Sequence, residues 1–166
     1  MSDAFLDDVF AVIAETPQHT YQVLTKRAVR LPGYFANRPC PPNVWLGVSV
    51  EDRAYGIPRI APLRQVNATV RFLSIEPLLQ DIGNLDLTGI QWLILGGESG
   101  PKARPMQQEW VENIRRQANT AGVGFFFKQW GTWGADGVRR NKKANGRLLD
   151  GRTWDAWPQF VEATAP

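Results

Sequence analysis

The stretch from residue 44 to residue 75, VWLGVSVEDRAYGIPRIAPLRQVNATVRFLSI, decides the fold. It contains two short apolar runs, 44–50 and 69–75, separated by a segment, 53–65, that can become helical although two prolines interrupt it. Both runs are rich in β-branched and aromatic residues and are more continuous than alternating, which is typical of strands buried on both faces. A strand, a helical crossover and a second strand predict parallel pairing through a right-handed connection.

The same pattern extends in both directions along the chain. Three more apolar runs are 21–25 (YQVLT), 91–96 (QWLILG) and 123–128 (VGFFFK). The clearest crossover helix is predicted at 106–119, directly after Pro105, a residue suited to a first helical turn. We therefore predict an α/β fold, either a partial (β/α) barrel or an open, mainly parallel sheet of about five strands with helical crossovers.

The segments outside the strands are less regular. An amphipathic helix is predicted from Ser2, a suitable N-cap, to a point before Pro17. Segment 77–90 is expected to be an irregular excursion. We predict a single domain, 1–166, with the barrel-like part at about 1–130 and a basic, loop-rich extension at about 131–166.

Composition excludes several classes of protein. No apolar run approaches the roughly 18 residues that a membrane helix needs, and the N-terminus is acidic where a signal peptide would be basic. Cys40 is the only cysteine, so the chain cannot form an internal disulfide, a four-cysteine zinc site or an iron–sulfur cluster with its own cysteines. A cytoplasmic protein without membrane contact and without a metal site is expected.

Parallel strands direct their carboxyl ends to one edge of the sheet, which is where such folds bind ligands. In this chain every predicted strand is followed by polar or charged residues, which are Thr25-Lys26-Arg27, Glu51-Asp52-Arg53, Glu76-Pro77, Gly96-Gly97-Glu98-Ser99-Gly100 and Lys128-Gln129-Trp130. Glu76 and Glu98 stand directly at strand ends. They are the candidates for holding a ligand amine or hydroxyl, or for acid–base catalysis, and a purely structural role as acceptors of loop N–H groups remains open.

The loop GGESGPKAR, 96–104, is either a ligand cradle or a tight turn. Its glycines allow a ligand to approach the backbone, and Lys102 and Arg104 supply positive charge for a phosphate or carboxylate. It matches neither a P-loop nor the dinucleotide fingerprint, and the single histidine, His19, precedes the first strand, which excludes a Ser/His/Asp arrangement at this edge. The predicted ligand-binding residues are Gly96, Gly97, Glu98, Ser99, Lys102, Arg104, Lys26 and Lys128.

A basic tract spans residues 128–152, with seven basic and two acidic residues. Such a tract is either a solvated, flexible loop or a surface for nucleic acid, and its tryptophans could stack on bases. Trp130 is expected to plug the end of the sheet, and Trp154 and Trp157 to fold the tail back on the domain. The predicted nucleic-acid-binding residues are Trp133, Arg139, Arg140, Lys142, Lys143 and Arg147.

Six sequence strings occur in a characteristic order: TPQHTYQVLTKR, NVWLGVSVED, VRFLSIEPLL, GGESGPKARPM, GVGFFFKQWG and GRLLDGRTWD. Together they resemble the phage-associated three-cysteine-motif family, which are radical-SAM-like proteins of poorly known function. The resemblance covers the chain from Met1 to about Pro158. It implies a partial (β/α) barrel whose N-terminal part carries three cysteines for a [4Fe–4S] cluster that cleaves S-adenosylmethionine.

This chain departs from that pattern because the three-cysteine loop is absent and Cys40 matches no cluster position. The resemblance therefore implies that the cluster and S-adenosylmethionine chemistry enter only if an N-terminal piece is supplied. It also implies that the strand 21–25 is an exposed edge, free to pair with a second copy, a separately encoded N-terminal piece or a partner protein.

Three functions follow from these observations. The first is a phage-type protein, in the host-cell cytoplasm if phage-encoded, that is noncatalytic alone and binds a nucleotide, nucleic acid or protein. The second is a nucleic-acid-binding protein that uses the basic tract. The third is an enzyme that acts on a phosphorylated or nucleoside substrate at the carboxyl edge of the strands.

Overall fold

The computed structural model describes residues 1–158, so residues 159–166 of the predicted C-terminal extension lie outside the described part. Its centre is an all-parallel sheet with the strand order β1-β2-β3-β4-β5, and the sheet is open rather than closed into a barrel. The strands are β1 (Tyr21–Thr25), β2 (Val44–Ser49), β3 (Val70–Ile75), β4 (Trp92–Gly96) and β5 (Gly124–Gln129). The predicted α/β class and open parallel sheet are confirmed.

The helices are α1 (Asp3–Glu15), α2 (Arg30–Phe35), α3 (Ile60–Arg64), α4 (Gln108–Thr120) and α5 (Lys142–Asn145), and a 3₁₀ turn, Ile57–Arg59, leads into α3. The α1 helix begins as predicted, because the Ser2 side chain accepts a hydrogen bond from the Phe5 N–H at 3.2 Å. Segment 77–90 contains neither helix nor strand, as expected.

Three helical details differ from the sequence-based expectation. The helix predicted directly after Pro105 begins only at Gln108, so that proline lies outside it. Both α2 and α3 form in spite of Pro32 and Pro62, because each proline occupies the third helical position, where no intrahelical N–H bond is needed. The short helix α5 was not predicted; Asn141 caps it by accepting the Ala144 N–H at 3.0 Å.

Helices α1 to α4 each contribute buried apolar residues to one core on one side of the sheet, although α1 contributes only Ile13. The α4 helix, for example, contributes Val111, Ile114 and Ala118 to this core. The opposite side, which we call the aromatic face, carries a separate cluster formed by Trp45, Val70, Phe72 and Trp92, with Ile94 and Phe126 packed against it. Because successive side chains of a strand point to opposite sides of the sheet, each residue at a strand end faces either the core or the aromatic face.

The two edges of the sheet differ. The C-terminal segment runs beside β5, where the Phe127 N–H donates to the Trp154 carbonyl at 2.9 Å and the Ala156 N–H donates to the Phe125 carbonyl at 3.2 Å. Trp157 then stacks on Trp92 with a centroid distance of 5.2 Å, which confirms that the tail folds back on the domain. At the other edge, β1 pairs with β2 alone within the described residues. In this part of the chain, no helix has the length and apolar character needed to cross a membrane.

Candidate functional site

Strands β2 and β3 end in the same pattern, a serine, a branched aliphatic residue and a glutamate, at 49–51 and 74–76. Ser49 and Ser74 are direct partners in the strand register and lie on the aromatic face, 3% and 6% exposed. Among residues 1–158, neither hydroxyl has a hydrogen-bond partner. The glutamates follow two positions later, so the repeated pattern brings two carboxylates and two hydroxyls to the centre of the carboxyl edge.

Glu51 is held on both oxygens. Lys26 at the end of β1 binds Oε1, and Arg59 Nη1 donates to Oε2 at 2.6 Å and to the Ser49 carbonyl at 2.7 Å. Burial opposes ionisation of this carboxyl, but the hydrogen bonds from Lys26 and Arg59 outweigh it and hold the Glu51 pKa below its ordinary value. Glu51 is therefore an ionised hydrogen-bond acceptor at neutral pH.

Glu76 reaches across the neighbouring strand to β5. Its Oε2 accepts from Lys128 Nζ at 2.8 Å, and its Oε1 accepts from Gln129 Nε2 at 3.3 Å. Gly96 of β4 lies between them, and a Cβ at this position would stand 3.3 Å from the Glu76 carboxyl group. The absence of a side chain at Gly96 therefore gives Glu76 the space to meet Lys128.

Four charged groups thus line the carboxyl end of the aromatic face in the order Lys26, Glu51, Glu76 and Lys128, from β1 to β5. We call these four residues, together with the serine pair, the rim cluster. Its carboxylates can accept hydrogen bonds from ligand hydroxyl or amine groups, its lysines can bind an anion, and its serine hydroxyls can donate or accept.

Glu98, the second predicted carboxylate, is occupied elsewhere. Its Oε2 accepts from the backbone N–H and Nε of Arg104 at 2.8 and 2.9 Å, and its Oε1 accepts from Nη2 at 2.8 Å. These hydrogen bonds lower the Glu98 pKa to about 2. Glu98 therefore binds Arg104 within the glycine loop and is not part of the rim cluster.

This pairing predicts a pH-dependent contribution to stability. Because the folded-state pKa lies below the ordinary value of 4.5, the stabilisation is present above that value and is lost as the pH falls through about 2. Solvent around the exposed Arg104 screens the pair, so Glu98→Gln should lower the free energy of unfolding by about 1 kcal/mol at about pH 6 and by less at about pH 2.5. Urea unfolding at both pH values measures the difference.

Glu15→Gln controls for the loss of one carboxylate, since Glu15 is exposed on α1 and has no ion-pair partner among residues 1–158. An equal loss of stability for Glu98→Gln at both pH values would contradict the assignment.

The N–H groups of the glycine loop form hydrogen bonds within the protein. The Gly97 N–H donates to the Gln129 carbonyl at 3.0 Å, and the Gly100 N–H donates to the Thr132 hydroxyl at 3.0 Å. The Glu98 carbonyl in turn accepts the Thr132 N–H at 2.9 Å. Segment 97–100 therefore acts as a turn that docks on the residues after β5.

The predicted ligand-binding set is thus divided. The structure brings Lys26, Lys128 and Gly96 to the rim cluster, and Ser99 lies beside it with its hydroxyl 3.3 Å from Gln129 Nε2. Gly97 and Glu98 lie in the docked segment 97–100, and Lys102 and Arg104 follow it in the same loop. Sequence reasoning missed Glu51, Ser49, Ser74 and Gln129 as site residues, although the repeated Ser-x-Glu pattern was a readable signal for the first three.

The arginines of the basic tract mostly contact the protein itself. Arg140 pairs with Asp136 at 2.6 Å, and Arg139 donates to the Pro101 carbonyl. Arg147 pairs with Asp155, and its guanidinium lies 4.9 Å from the centroid of the Phe126 ring. The contacts of Arg139 and Arg147 attach the tract to the domain, whereas the Arg140–Asp136 pair lies within the tract.

The remaining members of the predicted nucleic-acid set are one tryptophan and two lysines. The indole N–H of Trp133 donates to the Ala103 carbonyl at 2.7 Å. Lys142 and Lys143 are exposed on α5 and form no ion pair within residues 1–158. Trp130, predicted to plug the sheet end, is 2% exposed, and its indole donates to the Leu148 carbonyl at 2.8 Å, which confirms that role.

The single histidine and the single cysteine lie away from the rim cluster. His19 packs edge-to-face on Tyr21 at the amino end of β1, with a centroid distance of 6.2 Å. Burial raises the Cys40 pKa to about 11, which keeps the thiol protonated. Within the described residues, no three His, Cys, Asp or Glu side chains group together in a way that could hold a metal ion. The residues present therefore do not fit the iron–sulfur cluster that the family resemblance implies.

Comparison with known proteins gives one match. The family described as "protein of unknown function (DUF5131)" matches residues 1–158. No curated protein and no solved structure matches the chain. The function must therefore be inferred from the geometry of the site.

Proposed function

The chain belongs to the DUF5131 family, whose function is unknown, and we propose that it binds a nucleoside or nucleotide at the rim cluster without catalysing a reaction by itself. The observation that carries this proposal is the pair of hydroxyls, Ser49 and Ser74, that lie side by side without a protein partner among residues 1–158, next to Glu51 and Glu76.

Carboxylates at strand ends are a common means of holding the ribose of a nucleotide, because they accept hydrogen bonds from its hydroxyl groups. Of the two glutamates, Glu76 is better placed for this role, since its side chain is 21% exposed and that of Glu51 is 8% exposed. Lys128, which binds Glu76 and is itself half exposed, supplies positive charge for a phosphate or carboxylate of the same ligand.

The neighbouring part of the aromatic face supports contact with a planar base. Ile94 is the register partner of Ser74 on β4, and Phe126 is the register partner of Ile94 on β5. Both side chains are half-buried, so each retains apolar surface for a ligand.

The pKa of Glu51 argues against a role for this residue as a general acid. The lowered pKa of Glu51, caused by its hydrogen bonds from Lys26 and Arg59 against the cost of burial, keeps it ionised, whereas a general acid needs a raised pKa. The resemblance to radical-SAM-like proteins adds S-adenosylmethionine, itself a nucleoside, to the ligands to be tested.

The test compares two glutamates at neighbouring strand ends. Adenosine, ATP and S-adenosylmethionine are titrated into the full chain by isothermal titration calorimetry. Glu76→Gln should weaken binding of the best ligand by about tenfold or more, because a charged acceptor is replaced by an amide. Glu98→Gln is the matched control and should leave the affinity unchanged, because that carboxylate is committed to Arg104.

Two results would overturn the proposal. One is the absence of binding by all three ligands, and the other is an equal loss for Glu76→Gln and Glu98→Gln. A labelled single-stranded DNA is titrated in parallel. Salt-sensitive DNA binding that is lost in a Lys142→Ser/Lys143→Ser variant, with no binding of the small ligands, would assign the protein to nucleic acid instead.

A further inference from the structure

A groove of about 690 Å³ lies between α1, β1 and α2, beside the edge of the sheet at which β1 has no second strand partner within residues 1–158. It is lined by side chains that a folded chain normally buries, among them Phe5, Val9 and Leu24, which are 51%, 37% and 48% exposed. Apolar surface of this kind, next to an open strand, marks an interaction site in a soluble protein.

The backbone of β1 restricts what can occupy the groove. Parallel pairing uses the N–H and C=O groups of alternate residues, and Tyr21 donates its N–H to the Asn43 carbonyl at 2.8 Å on the β2 side. Gln22 and Leu24 therefore direct their N–H and C=O groups to the open side. An occupant must supply both donors and acceptors at strand spacing, which only another extended polypeptide does well.

The charges at the groove indicate where an acidic group of the occupant lies. The lining contains Lys26, Arg27 and Arg30 and no acidic residue. Lys26 pairs with Glu51 and Arg30 with Asp3, whereas the Arg27 guanidinium has no ion-pair partner among residues 1–158. The free positive charge thus stands at the carboxyl end of β1.

We propose that the groove binds an extended segment of a partner protein, which adds to the sheet as a strand parallel to β1, fills the groove with apolar side chains and ends in an acidic residue beside Arg27. Within this chain, β2, β3 and β4 already follow that rule, because a glutamate stands within two residues after each of them, at 51, 76 and 98. The partner segment adds one more strand to the sheet, and that strand is also followed by an acidic residue.

A second copy of the chain fits the groove less well. Two β1 strands related by a twofold axis pair antiparallel, which sets Arg27 of one copy against the amino end of β1 in the other. Residues 17–20, Pro-Gln-His-Thr, precede β1 and carry no carboxylate. The unpaired positive charge would then remain uncompensated.

The experiment uses two fluorescein-labelled peptides, TVTVIED and TVTVIKK, and measures their fluorescence anisotropy with the full chain. We expect binding of the acid-ended peptide and binding at least about tenfold weaker for the lysine-ended one. Arg27→Glu should reverse this preference. Arg116→Glu is its matched control, because Arg116 is an exposed arginine on α4 outside the groove.

The apolar part is tested on one helix. Val9→Asp should weaken binding of TVTVIED by about tenfold or more, because it places a charge in the apolar wall. Val12→Asp should have no effect, since Val12 is 59% exposed on the same helix and lies outside the groove. Absence of peptide binding, equal binding of both peptides, or equal effects of Val9→Asp and Val12→Asp would overturn the proposal. So would a concentration-dependent dimer in sedimentation that Val9→Asp abolishes, because it would assign the groove to a second copy.

Discussion

The Gly97→Ala variant should lose at least about 3 kcal/mol of unfolding free energy, a large share of the roughly 5–15 kcal/mol that stabilises an ordinary domain. A Cβ on Gly97 would overlap the carbonyl oxygen of Trp130 and lie 2.8 Å from its carbonyl carbon. The obstacle is backbone, which cannot rotate aside as a side chain does, so the two segments must separate. Guanidinium unfolding followed by tryptophan fluorescence measures the loss.

The separation would break more than one contact. Gly131, the residue after Trp130, also lies close to this loop, and a Cβ there would stand 2.8 Å from the Gly97 carbonyl carbon. The hydrogen bonds from Gly97 to Gln129 and from Thr132 to Glu98 connect these two segments and depend on their close approach.

Gly33→Ala is the matched control. Gly33 lies in α2, and a Cβ on it would meet nothing within 4 Å. Alanine is favoured over glycine in a helix by up to about 1 kcal/mol, so this variant should be as stable as the native protein or slightly more stable. Equal unfolding midpoints for Gly97→Ala and Gly33→Ala would show that the close approach does not limit stability.

Strands β2, β3 and β4 were predictable because a parallel strand with both faces covered must be apolar along its whole length. All five predicted runs overlap the observed strands to within one residue at each end. The helices were less predictable. In α2 and α3 the prolines obscured the pattern, and their acceptability depends on the position at which each helix begins, which is set by packing.

The carboxyl edge was predictable as a location, but the partners of its side chains were not. Glu98 and Glu76 occupy similar positions in the sequence, each within two residues after an apolar run. Their hydrogen-bond partners differ. Glu98 binds Arg104 of the same loop, whereas Glu76 binds Lys128, which is 52 residues away in the sequence and lies across Gly96. Contacts of that range depend on strand order and register, which single-sequence patterns do not specify.

The contacts of the basic tract were likewise not predictable from the sequence. Its positive charge is a property of the sequence, but its accessibility depends on the tail that folds back along β5. Arg147 is committed to Asp155 and Phe126, and Arg152 lies 3.6 Å from the centroid of the Trp154 ring. Counting charges therefore does not show which of these side chains already have partners within the protein.

Glu51→Ala should destabilise the protein by about 3 kcal/mol, because it leaves the Arg59 guanidinium without its carboxylate in a largely buried position. The two side chains are 8% and 17% exposed, so water can replace little of the lost interaction. Arg59 would keep only its hydrogen bond to the Ser49 carbonyl. Since the Glu51 pKa is lowered from 4.5, the stabilisation exists above that value and disappears as the pH falls below it. Urea unfolding at about pH 7 and about pH 3 should therefore show a difference from the native protein that shrinks on acidification.

Arg53→Ala is the control, because Arg53 and Asp81 form a pair in which the side chains are 58% and 50% exposed, and its loss should cost about 0.5 kcal/mol or less. A similar cost for both variants would contradict the view that Glu51 anchors the rim cluster.

Comparison of Glu51→Ala with Glu76→Gln distinguishes a stabilising role from a ligand-binding role at the same edge of the sheet. Loss of Glu51 should reduce stability, and with it any ligand binding, because its carboxylate fixes the ends of β1 and β2. Loss of the charge on Glu76 should reduce ligand binding while the unfolding free energy changes little, because its partner Lys128 is half exposed and solvent can replace the interaction.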